Sequence, residues 1–118
     1  MYVNKKGFTL IELLIIIVII GILATIAISV TLKMIEKAYV GTLKSDLSTA
    51  YKTSTVYHSE NPDGVLTEDI LEDYGLRQTK GVDLNIVDGS TDSLRITATH
   101  PRVNGVYAVD QTGRIFKQ

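Results

Sequence analysis

From Phe8 to Leu32 the chain reads FTLIELLIIIVIIGILATIAISVTL, with Glu12 as its one formal charge. As a helix this stretch rises about 37 Å at ~1.5 Å per residue, enough to cross a hydrocarbon core about 30 Å thick. Ile and Val dominate it, and in water those residues lean toward strand. Lipid demands that every backbone group be paired within the segment, which enforces a helix. Lys5 and Lys6 precede the run, so the positive-inside rule places the N-terminus in the cytoplasm and everything beyond Lys33 outside. The rest of the 118 residues is polar and mixed, with a net charge of -1 and no Cys. That balance gives no global bias toward nucleic acid, and the missing thiols exclude disulfides and thiolate metal sites.

Glu12 decides between readings of the run. A cleaved secretory signal predicts a shorter apolar core followed by a small-residue site. Thr25-Ile26-Ala27 is a poor version of that site, and the helical pattern continues past it. A plain membrane anchor gives Glu12 no role, although a carboxylate in hydrocarbon is costly unless paired. A cut after Gly7 supplies the pair. It creates an ammonium group on Phe8, four residues from Glu12 and on the same helical face. Within one chain the two charges neutralise each other. Between chains they set an assembly register, because an unpaired charge in an apolar bundle is heavily penalised.

The stretch KKGFTLIEL and the apolar run behind it resemble the class III signal and N-terminal helix of bacterial type IV pilins and pseudopilins. The resemblance covers Lys5 to Tyr39. It implies that a prepilin peptidase in the membrane cuts between Gly7 and Phe8 and N-methylates Phe8. It implies that Glu12 and Phe8 act in assembly. Precursors then wait in the inner membrane, N-terminus in the cytoplasm. An assembly platform and its ATPase extrude them into a homo-oligomeric helical filament, at the cell surface or in the periplasm. Gly7 suits the cut, because a residue without a side chain lets a protease approach the backbone. One position departs from the family: Ser29 stands where many relatives have Pro. Gly21 remains as a point of helix flexibility, since Gly weakens a helix by about 1 kcal/mol relative to Ala. Without the Pro a straighter helix is expected.

The second half of the helix keeps a stripe while its solvent changes. Charges begin at Lys33, and apolar positions recur at Ile35, Tyr39, Leu43, Leu47, Ala50 and Tyr51, extended by Ser54 and Tyr57. The pattern predicts one helix over 9–58, ended by Asn61-Pro62-Asp63-Gly64. A short helix is predicted over 68–74, with Thr67 as cap and Gly75 as stop. Strands are predicted at 82–87, 94–99, 106–110 and 114–117, with Leu94, Ile96 and Ala98 inward. The fold class is α+β: a long N-terminal helix whose second half packs against an antiparallel sheet of three or four strands. The chain divides into a leader (1–7), a membrane or filament-core half-helix (8–32), an amphipathic half-helix (33–58) and a head (59–118).

This reading makes the protein a structural filament subunit with no catalytic role. Its nearest alternative is a pseudopilin of a type II secretion or DNA-uptake system, and a remote one is a single-pass anchored ectodomain. His58, Glu60, Asp63 and His100 match no metal-ligand spacing, and no phosphate loop or nucleophile elbow appears, so no metal or cofactor is expected. Tyr39, Tyr51 and Tyr57 read as core or subunit-contact residues. The Arg and Lys residues of the C-terminal third are interleaved with acidic ones, so no specific nucleic acid is expected.

Overall fold

A computed structural model describes Gly7 and residues 9–118. Lys5, Lys6 and Phe8 lie outside the described residues. One helix, α1, runs from Leu10 to Glu60, and the described residues fall into two units that divide between Ile35 and Glu36.

In the first unit α1 passes through Gly21 and Ser29 unbroken. The hydroxyl of Ser29 donates to the carbonyl of Ile26 at 3.0 Å, that of Thr25 to Ile22 at 2.7 Å, and that of Thr31 to Ala27 at 2.8 Å. These three hydroxyls in the apolar run are therefore satisfied by the helix itself, as hydrocarbon requires. Gly21 has open space around the position of a Cβ, so no close approach within the chain demands a glycine there.

In the second unit α1 buries Leu43, Leu47, Ala50 and Ser54. These follow the 3.6-residue period, and Tyr39, Tyr51 and Tyr57 pack half-buried beside them. The short helix α2, Glu68–Asp73, starts at Thr67, whose hydroxyl oxygen accepts from the Ile70 N–H at 3.4 Å. It stops at Gly75, whose φ of 93° is open to Gly at little cost. Leu76 N–H then closes on the Leu71 carbonyl at 2.9 Å.

Four strands follow: β1 (Asp83–Asp88), β2 (Arg95–Thr99), β3 (Tyr107–Asp110) and β4 (Ile115–Lys117). They form an antiparallel meander in the order β1-β2-β3-β4. Leu84 faces Ala98 and Tyr107 along one row, and Ile86 faces Ile96, Val109 and Ile115 along the next. Period-2 alternation puts these rows on one face, and with the α1 stripe they form the core. The register slips between Ile86 and Asp88, leaving Val87 unpaired and exposed on an edge strand. A bulge there blunts the edge against further strand pairing.

The core holds one carboxylate that the apolar stripe did not announce. Asp46 is 9% exposed and accepts from the Thr79 N–H at 3.0 Å and the Thr79 hydroxyl at 2.9 Å. It ties the loop after α2 to α1, and the hydrogen bonds offset the cost of burying it.

The strand ends are held by acidic caps. Asp110 Oδ1 accepts from the Thr112 hydroxyl and N–H and from the Arg114 N–H. The Thr112 hydroxyl, more than the neighbouring Arg114, holds the Asp110 carboxyl below its ordinary value. Asp88 is lowered in the same way by the Ser90 hydroxyl and N–H. A depressed carboxyl contributes stability that is present above its unfolded value, about 3.9, and is lost as pH falls through the folded one. Acid unfolding of the detergent-solubilised chain, followed by circular dichroism, is therefore expected to begin below about pH 4, and Asp110→Asn is expected to reduce its slope. Leu47, fully buried, gives a second test. Leu47→Ala is expected to cost about 2–5 kcal/mol in chemical denaturation of the same preparation.

Candidate functional site

The N-terminal end of α1 carries the residues that the sequence singled out. Gly7 is exposed, Phe8 lies outside the described residues, and Thr9 is the residue from which the helix departs. The Glu12 N–H donates to the Thr9 hydroxyl oxygen at 3.2 Å, and the Thr9 N–H donates to Glu12 Oε2 at 3.4 Å. The two residues form a reciprocal cap that satisfies two of the amides a helix start leaves unpaired. The carboxylate also sits at the positive end of the helix dipole, where a negative charge is favoured.

Sequence reasoning missed this local role. It assigned Glu12 to a charge partner alone, although Thr9-Leu10-Ile11-Glu12 has the Thr-x-x-Glu spacing of a capping box. The cap explains part of why a carboxylate is kept here before any neighbour arrives. Only one oxygen of Glu12 is engaged in it, over a long hydrogen bond. The other has no hydrogen-bond partner among the described residues.

Behind the cap lies apolar surface that nothing in the first unit covers. Leu10 is 85% exposed, and Ile11, Leu13, Leu14 and Ile17 are each more than half exposed. The exposure continues around the whole circumference to Leu32 and Met34. A helix apolar on every side is built for lipid or for the inside of a bundle, and this one is long and apolar enough to cross a membrane.

The remaining candidates do not converge. His58 Nε2 lies 3.1 Å from the Gly89 carbonyl, while His100 stacks on Tyr39 with ring centroids 4.2 Å apart. The two histidines thus sit on different parts of the head. Glu60 accepts from the Tyr74 hydroxyl at 2.6 Å, a bond that raises the Tyr74 pKa. The tyrosines serve packing: Tyr57 and Tyr74 meet edge to face at 5.8 Å, and Tyr51 packs under Gly113.

A capped helix with an uncovered apolar half, joined to a second unit built on its own core, defines a membrane-anchored subunit made for assembly. Residues 3–28 match the model of the prokaryotic N-terminal methylation motif. The chain is 37% identical over 98 residues to the type IV wide pilus major component PilA4 of Thermus thermophilus, covering 82% of this chain and 75% of that one. The chain belongs to the type IV pilin family and is a structural pilus subunit. Membership implies a membrane-anchored precursor, prepilin processing and filament assembly.

The cap can be tested apart from assembly. Thr9→Ala is expected to loosen the first turn by about 1 kcal/mol. This should appear as faster hydrogen exchange at the Ile11 and Glu12 amides of the full chain in bilayers, with the Leu43–Ser54 amides unchanged.

Proposed function

We propose that prepilin peptidase cuts this chain between Gly7 and Phe8 and methylates the new Phe8 amine. Glu12 then sets the register of assembly. The reciprocal cap supports that role, since it uses one Glu12 oxygen over a long bond. Among the described residues the other has no partner, leaving the carboxylate able to meet a neighbour's ammonium while the Thr9 hydroxyl still holds the helix start. The precursor sits in the inner membrane with its N-terminus in the cytoplasm. An assembly platform and its ATPase move it into a homo-oligomeric filament, where like helices replace lipid around Leu10 to Leu32.

The gain on leaving lipid comes from packing and charge pairing, because lipid is already apolar. An ammonium–carboxylate pair in that setting disciplines position more than it adds stability. Gly21 gives the helix a weak point without a fixed bend, as the unbroken backbone there allows.

N-terminal sequencing of protein recovered from cells tests the cut. An N-methyl-Phe8 start is expected, and an intact Met1 on filament-borne protein would overturn the proposal. Glu12→Ala is expected to be processed normally yet to enter filaments at least tenfold less than wild type when the two are co-expressed. Equal incorporation would remove the register role.

A further inference from the structure

The second unit is electrically polarised along α1: six of its acidic residues follow one another over 60–73, and the fold gathers basic ones from distant positions. At one end lie Tyr39 and His100, Lys44 with its Nζ 6.0 Å from the Tyr107 ring centroid, and Lys117 paired across from Tyr107. Lys37, Lys80 and Arg102 belong to the same end. Lys37 precedes Tyr39 on α1, Lys80 follows Thr79, which is bound to Asp46, and Arg102 donates its N–H to His100 Nδ1 at 3.0 Å. All five cations are exposed, and the acidic residues at this end are Glu36, Asp83 and the hydrogen-bonded Asp46.

At the other end His58 meets Gly89, Glu60 meets Tyr74, and the Thr91 hydroxyl donates to the Pro62 carbonyl at 2.8 Å. There α2 presents Glu68, Asp69, Glu72 and Asp73, with Glu60 and Asp63 beside them, all exposed. Arg77 stands exposed beside Glu68, Glu72 and Asp73, one cation against six carboxylates, and the other two arginines of this end are already engaged. Arg95 and Arg114 lie over the Phe116 ring at 5.5 and 5.4 Å, and Arg114 also pairs with Asp110 at 3.6 Å. Among the described residues that pair is the one ion pair. From Lys44 to His58 is about 21 Å of helix at ~1.5 Å per residue, so neither end can neutralise the other within one chain.

We propose that the acidic end of one head docks on the basic end of another copy in the filament, with α2 meeting the Lys44–Tyr107–Lys117 surface. This rests on the filament reading above. A contact between two different ends of identical chains does not close on itself, so it propagates as an open array. Each end also has an apolar centre for the charges to surround. Val65 and Val87, both 60% exposed, line one groove with Glu68 and Asp69, and Tyr39 and Tyr107 stand half-buried at the other end. An apolar centre with a charged rim is the usual anatomy of such a contact. Rim charges chiefly select partner and orientation.

Charge swapping in cells tests the contact, read as pilin recovered in sheared filaments. Lys44→Glu with Lys117→Glu, and separately Glu68→Lys with Asp69→Lys, are each expected to lower filament yield at least tenfold, while cleaved subunit stays at wild-type level in the membrane. Combining all four changes is expected to restore yield to within about threefold of wild type. Wild-type yield from either single-end variant, or a combined variant no better than its parents, overturns the proposal. A second measurement does not depend on tolerance of charge reversal. Because the chain has no Cys, Glu68→Cys with Lys117→Cys places the only thiols, too far apart to join within one copy. A short bismaleimide applied to intact filaments is expected to give a ladder of covalent oligomers, and recovery of monomer alone counts against the contact. If wild-type cells yield no filaments at all, the filament reading itself fails, a result distinct from filaments that ignore the swap.

Discussion

A helix with no cover for half its length governs this molecule. From Leu10 to Met34 the side chains are exposed on every face, and water is an unsuitable neighbour for that much hydrocarbon. Burial stabilises by about 25 cal/mol per Å² relative to water, so the segment stays in lipid until like surfaces replace it. Subunit delivery from a membrane and burial in a filament are two answers to that one constraint. The polar groups inside the run are arranged to respect it, with Thr25, Ser29 and Thr31 each bonded back to the helix.

The same helix then serves a different solvent. Past Glu36 its period supplies one wall of a water-soluble core, and the meander supplies the other. No disulfide holds the end of the chain. Backbone pairing of β3 with β4 does so, together with the Gln118 N–H donated to the Val106 carbonyl at 2.8 Å. The buried carboxylate of Asp46, held by two hydrogen bonds from Thr79, ties the loop between α2 and β1 back to α1.

Much of this was legible in the residues because local rules and global packing agree. The helix predicted over 9–58 runs Leu10–Glu60 with Thr9 as its cap, and the Asn61-Pro62-Asp63-Gly64 turn ends it as expected. The strands fall within about a residue of their predicted limits, since alternation and turn residues point to the same places. Leu94, Ile96 and Ala98 are all buried, as their alternation implies. What escaped was non-local or doubly used. Asp46 sits on the stripe because of a threonine far along the chain, and no periodicity reports that. Glu12 has a local cap partner in Thr9, and attention to an expected distant charge hid the spacing. The interleaved Lys, Arg, Asp and Glu of the last third look like an even surface in sequence order. The up-and-down path of the strands gathers Lys80, Arg102 and Lys117 at one end, while Arg95 and Arg114 stay over Phe116 at the other.

Cryo-electron microscopy of filaments sheared from the host tests most directly whether like helices replace lipid around the uncovered half. The expected reconstruction places residues Leu10 to Leu32 of every subunit against one another at the filament axis, with each Glu12 beside the Phe8 nitrogen of a neighbour. Filaments with the heads at the axis, or with the apolar helices left apart and facing solvent, would contradict it.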